Sequence, residues 1–133
     1  MAKEIIMKIN KALWILVAGP YRSGTNDDPE LIEANVKAMN EMALKVLHKG
    51  HMPILGEWIA LPLIKEAGSE KIGDEIFNEI FHPIAIRLQD KLDAVLRIGG
   101  ASQGADEMVN QAHKKGLKVY YSLDEIPELI TAS

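Results

Sequence analysis

The sequence predicts an α/β fold: a three-layer sandwich, Rossmann- or flavodoxin-like, with a mostly parallel sheet of four to five strands and a single domain over residues 1–133. Three observations point there. Apolar runs too short for buried helices recur at 12–18, 52–55, 94–98 and 118–121. Stretches with helical spacing separate them, and strands alternating with helices call for a parallel sheet joined by crossovers. Glycine-bounded loops follow two of the runs, where the carboxyl ends of strands in an open α/β sheet leave a crevice for ligands.

Composition narrows the classes. The chain is long enough for one substantial core. Its formal net charge is −4 and no basic stripe is visible, which argues against a nucleic-acid partner. With no cysteine there is no disulfide, thiolate metal site or cysteine nucleophile, which fits a reducing compartment. No apolar stretch approaches membrane-spanning length, so no membrane partner is expected. Lys3, Lys8 and Lys11 before the first apolar run imitate a signal peptide. The run ends in Gly19-Pro20-Tyr21-Arg22 instead of a small-residue cleavage site, so it reads as a first strand in a cytoplasmic protein.

Residues 2–11 read as a polar lead-in or frayed end. The continuous aliphatic run 12–18 reads as a strand buried on both faces. Gly19 permits a sharp turn or close approach, and Pro20 cannot extend the ladder. Tyr21, Arg22, Ser23 and Gly24 leave that strand as a polar loop. Arg22 is a planar cation suited to phosphate or carboxylate, and Tyr21 offers a ring and a hydroxyl. The same stretch also reads as a tight strand–helix connection with a solvated Arg. Asp28 is placed to cap a helix, with Pro29 at its first position and Glu30 at the positive end of the dipole. Its apolar stripe runs through Leu31, Ala34, Met39, Ala43, Val46 and Leu47 to a stop at Gly50. Pro53 puts the strand 52–55 at an edge or at the start of its ladder.

Glu57 and Trp58 follow that strand, so Glu57 either lines the cleft or is a surface acid beside a packed indole. A helical turn over 58–64 is expected to break at Pro62, and 67–73 reads as loop. Ile76, Ile80, Ile84, Leu88 and Leu92 then form a helical stripe that Pro83 should kink or split. After the strand 94–98, Gly99, Gly100 and Gly104 make a second turn. Ala105, Met108, Val109 and Ala112 mark the next helix, closing at Gly116. Beyond the strand 118–121, Ser122 and Glu125 have the spacing of a capping box that opens a short terminal helix.

The chemistry concentrates in the two loops. Glycines in the second permit close backbone approach, Ser102 supplies a hydroxyl, and the free N–H groups of the following helix attract an anion. Asp106 and Glu107 occupy that helix's first turn. They either complement the dipole or face the cleft as acid, base or nucleophile. The loop is not a dinucleotide fingerprint, since no Gly-x-Gly-x-x-Gly is present. His48 and His51 flank Gly50 without a third ligand, so no metal site is expected. His82, before Pro83, reads as a local hydrogen-bonding residue.

Several stretches together resemble the nucleoside 2-deoxyribosyltransferase-like superfamily, and within it small domains of the DUF4406 type. They are the strand into Gly19-Pro20-Tyr21-Arg22-Ser23-Gly24 and the helix 34–50 leading to His51-Met52-Pro53. Leu92-Asp93-Ala94-Val95, Ser102-x-Gly104-Ala105-Asp106 and Gly116-Leu117-Lys118-Val119-Tyr120 complete the set, which spans nearly the whole chain. The resemblance implies breaking and re-forming of an N-glycosidic bond by double displacement. In that family a glutamate four residues after the serine-loop glycine attacks the anomeric carbon. Here that position is Met108, with Glu107 one residue earlier and about 100° round the helix. The family's acid eight residues before the Asp93 equivalent is replaced by Ala85.

Relatives that act on nucleoside monophosphates tend to carry serine in this loop, so the resemblance at Ser102, together with Arg22 and the nearby helix start, implies a phosphorylated ligand. The resemblance therefore implies a nucleoside-monophosphate N-glycosidase or deoxyribosyltransferase, with Glu107 as nucleophile or acid and Asp106 orienting it. Tyr21 would meet the sugar or base, and Arg22, Ser23, Ser102 and Gly104 the phosphate. Gly19, Pro20, Gly24, Gly100 and Glu57 complete the implied ligand site. No metal or organic cofactor is required. The partner is a small-molecule nucleotide or nucleoside, and a homo-oligomer, dimer or tetramer, is expected. The competing expectation is a non-catalytic module that senses a nucleotide-derived ligand, which Met108 favours. A third is unrelated chemistry at Glu57 or His82.

Overall fold

The computed structural model describes residues 8–129. Its main sheet has four parallel strands: β2 (Trp14–Ala18), β3 (Met52–Ile54), β4 (Ala94–Arg97) and β5 (Lys118–Tyr120), in the order β3-β2-β4-β5. Around it lie α1 (Pro29–His48), α2 (Gly56–Glu66), α3 (Glu75–Leu88) and α4 (Gln103–Lys114). Ile15 and Val17 point to one face, where Met39, Ala43 and Val46 of α1 cover the sheet. Leu16 and Ala18 point to the other, against Ala85 of α3 and Ala105, Met108 and Ala112 of α4. Covered on both sides, β2 and β4 are apolar at almost every position, as a central parallel strand must be. The three-layer α/β sandwich is thus present, with four strands in its sheet.

Two local expectations match in detail. Asp28 caps α1, its carboxylate accepting from the Glu30 N–H at 2.9 Å, with Pro29 first in the helix. Pro53 lies in the edge strand β3, opposite Ile15. The α1 stripe is rotated from the expected one: Ile32, Met39, Ala43 and Val46 are buried, whereas Leu31, Ala34 and Leu47 face solvent.

Four expectations are corrected. First, α2 starts at Gly56 and runs through Pro62 without a break. Pro62 lies on its exposed side, where losing one helical hydrogen bond costs least. Second, α3 is likewise continuous through Pro83 and ends at Leu88, with a 3₁₀ turn over Gln89–Lys91 before β4. Its best-buried residues are Phe77 and Ala85; Ile76, Ile80, Ile84 and Leu88 are half-buried.

Third, the helix that opens at Ser122 is a single 3₁₀ turn without a capping box, Ser122 making no side-chain cap hydrogen bond. The turn covers Leu123–Glu125, and the Glu125 carboxylate accepts from the Tyr121 N–H at 2.7 Å. Pro127 disfavours helix at Ile126, which stays extended and buries its side chain against the α1 face. Fourth, part of the expected lead-in is structured: β1 (Lys8–Ile9) pairs in parallel with β6 (Glu128–Leu129) in a separate two-stranded sheet. The rest of that lead-in, 2–7, falls outside the described residues. Among the described residues no helix is long and apolar enough to cross a membrane.

His51 joins these pieces. It is 2 % exposed, and its Nδ1 accepts from the Leu13 N–H at 3.0 Å. The proton therefore sits on Nε2, which donates to the Pro127 carbonyl at 2.6 Å. One imidazole thus ties the entry to β2, the start of β3 and the C-terminal segment.

Candidate functional site

From β2 the chain crosses to β3 on one side and then returns past β2 to β4 on the other. Strand order reverses at β2 and β4, and a crevice opens beyond their carboxyl ends. The loops after these two strands touch there. Gly99 has φ +77°, and a Cβ on it would come within 2.7 Å of Pro20 Cδ, so glycine is needed for the approach. Gly19 is equally tight, with the Ile98 carbonyl oxygen 3.2 Å from where its Cβ would lie. Between the loops and the α2–α3 pair lies a cavity of about 230 Å³.

The first loop is folded on itself by Thr25. Its hydroxyl donates to the Arg22 carbonyl at 2.6 Å and accepts from the Asp27 N–H at 3.1 Å. Asn26 and Asp27 are held left-handed, at φ 50° and 59°, a conformation these two residue types tolerate best among non-glycines. The Asp27 carboxylate thereby grips Arg22 by both Nε and Nη2, each at 2.9 Å. That bond raises the Arg22 pKa and holds the Asp27 carboxyl below its usual range. Arg22 also lies over the Phe77 ring, 6.0 Å from its centre, and packs against Gly73.

Tyr21, Phe77 and Phe81 form an aromatic wall. The Tyr21 and Phe81 rings are 5.5 Å apart, Phe77 and Phe81 5.1 Å, and all are within 31° of parallel. Burial raises the Tyr21 hydroxyl pKa, and the nearby Glu57 charge raises it further. Glu57 itself, second in α2, is 9 % exposed and is the only carboxylate lining the cavity among the described residues. Burial pushes its carboxyl up; its own backbone N–H, at the helix start, pulls the other way.

The second loop contributes the start of α4. Ser102 is buried and its hydroxyl accepts from the Ala105 N–H at 3.1 Å, capping the helix. Gln103 and Gly104 at that helix start also line the cavity, and the first N–H groups of a helix have no partner within it.

Of the residues singled out from sequence, the cavity brings together Gly19, Tyr21, Arg22 and Ser23 from one loop with Ser102 and Gly104 from the other, and adds Glu57. Pro20, Gly24 and Gly100 are not in its wall. Neither are Asp106 and Glu107. Asp106 is exposed and paired with Arg97 at 3.2 Å, which also donates to the Gly100 and Ile98 carbonyls and so shapes the loop from outside. Glu107 is exposed and accepts from Gln111 Nε2 at 3.0 Å along the helix surface. The residue that turns into the cavity is Met108, 7 % exposed, as the helical rotation between adjacent positions requires.

Sequence reasoning missed Phe77, Asn78 and Phe81 and undervalued His82, all of which line the cavity from α3. The isoleucine stripe drew attention away from them; the available signal was Phe77 and Phe81 at i and i+4. No cluster of three His, Cys, Asp or Glu side chains suited to a metal forms among the described residues. In comparisons with known proteins, the chain matches no protein-family model and no curated protein sequence.

Proposed function

We propose that this chain binds a nucleoside monophosphate in the cavity, of the kind whose N-glycosidic bond is cleaved or transferred by the proteins it resembles. One observation carries the reading: a single pocket joins a cluster of three aromatic rings, an arginine and an open helix start at Gln103 and Gly104. The rings suit a heterocycle, and the cation with the helix N-terminus suits a phosphate. Ser102 and Ser23 add hydroxyls to the phosphate end. No metal or organic cofactor enters this reading, and its setting is cytoplasmic.

A second reading, binding without turnover, is favoured by Met108, whose thioether occupies the wall where the family's chemistry needs an attacking carboxylate. Incubation with ribo- and deoxyribonucleoside monophosphates, followed by chromatography for free base, separates the two. Release of base supports glycosidic chemistry; saturable binding without release supports the sensor. Binding of free nucleosides as tight as that of the monophosphates would refute the phosphate assignment.

The reading includes self-association as a dimer or tetramer. Its support is the exposed apolar surface of Trp58, Ile59 and Leu63 on α2 and Leu44 and Leu47 on α1. A monomer by light scattering would remove it.

A further inference from the structure

A carboxylate is rarely buried without a partner, because leaving water costs several kcal/mol unless a cation or donor groups offset it or the group takes up a proton. Glu57 comes near that case: the residue is 9 % exposed, and its carboxylate, which is not fully enclosed, opens to the cavity it lines. No side chain among the described residues hydrogen-bonds it or pairs with it, and its own backbone N–H is its one partner. It is nonetheless held in the cavity wall, close enough to the aromatic wall for its charge to act on the Tyr21 hydroxyl. Arg22, the nearest cation of the site, is already gripped by Asp27 from outside. The other polar side chains of the wall, Ser23, Asn78, His82, Ser102 and Gln103, make no hydrogen bond to it: Asn78 donates to the Gly73 carbonyl and Ser102 caps α4.

The partner that completes Glu57 therefore comes from the ligand. A planar ring held against Tyr21 and Phe81 would share the cavity with the Glu57 carboxyl, whose charge already acts on Tyr21. We infer that Glu57 is the specificity-determining residue of the cavity, and that it accepts hydrogen bonds from the exocyclic amino group of an amino-bearing nucleobase. The assignment rests on the nucleotide reading above and sharpens it. Adenine, guanine and cytosine offer an amino edge; hypoxanthine and uracil present only carbonyl and ring N–H groups. With an amino-bearing base in place the buried acceptor is satisfied. With the others only a ring N–H, flanked by carbonyl oxygen that repels the carboxylate, can answer it, so they bind less tightly.

The test is calorimetric titration of the folded chain with the 5′-monophosphates of adenosine, guanosine, cytidine, inosine and uridine. The amino-bearing three should bind about tenfold or more tightly than the other two, the size of one charge-assisted hydrogen bond. Glu57→Ala should level the five to within about threefold. Glu57→Gln, which keeps the shape and one acceptor without the charge, should retain part of the preference and guards against a folding defect in the alanine variant. A preference that is absent from the native chain, or that survives Glu57→Ala, overturns the inference while nucleotide binding stands. If none of the five binds the native chain, the nucleotide reading falls and this inference with it.

Discussion

His51→Leu should cost about 2–6 kcal/mol of stability, the desolvation of two backbone groups at roughly 1–3 kcal/mol each. Leucine has nearly the same bulk, so little cavity is added. What it lacks is the acceptor for the Leu13 N–H and the donor for the Pro127 carbonyl, held at 3.0 and 2.6 Å by the native ring. Both groups lie beneath a side chain that is 2 % exposed, where water cannot easily replace it. A domain this size loses about 3–4 °C of melting temperature per kcal/mol, so calorimetry should show a fall of about 6–24 °C.

The damage should also be local. Strands β1 and β6 pair over only two residues, and the ring is what holds the segment before β6 against β3. Amide exchange should therefore rise at Ile126 and Leu129 before it rises in β2 or β4. His51→Gln, whose terminal amide can put a donor toward Pro127 but cannot also put its oxygen where Nδ1 meets the Leu13 N–H, should fall between the two proteins. A leucine variant within about 0.5 kcal/mol of the native chain would refute the reasoning, since a change that small is typical of a surface site.

Three further outcomes follow from the same geometry. The Asp74 carboxyl is held at about 2, chiefly by the Phe77 N–H and then by Ser69, Glu70 and Lys71; its folded pKa lies below its ordinary 3.8. Its stabilisation is therefore complete above that value and lost as pH falls toward 2, so urea midpoints of the native chain and Asp74→Asn should converge over that interval. A constant gap would contradict this. Gly73→Ala would place a Cβ 2.5 Å from Arg22 Nη1 at φ +83°, displacing the guanidinium. The affinity ratio of a monophosphate to its nucleoside should fall about tenfold, the worth of a charge-assisted contact, and an unchanged ratio would place the phosphate elsewhere. Asp27→Asn removes the charge that competes for Arg22 and tolerates the same left-handed backbone, so it should raise that ratio severalfold. A lower ratio would mean that Asp27 positions the arginine for the ligand instead of competing for it.

The layer architecture was readable from the chain alone because its signals are local. The run 12–18 is apolar at successive positions since β2 is covered on both faces, and Asp28, Pro29 and Gly50 mark the ends of α1 by backbone chemistry that needs no tertiary context. The two glycine loops were legible for the same reason, because a turn that brings strands to a crevice writes itself in Gly19 and Gly99. The prolines misled in part: Pro62 read as a break and Pro83 as a kink or a split, yet α2 and α3 each run on through their proline, with the opposite faces buried.

What the sequence could not decide is which side chains face inward. Adjacent positions on a helix differ by about 100°, and only the seating of α4 on β2 and β4 turns Met108 into the cavity and leaves Asp106 and Glu107 outside. Glu57 reads in sequence as a surface acid as easily as a site residue; only the packing of α2 against α3 encloses it. Composition and spacing thus determined the sheet, the loops and their place at its carboxyl edge. Tertiary packing decided which carboxyl the cavity holds, because burial belongs to the assembled layers and to no single stretch of chain.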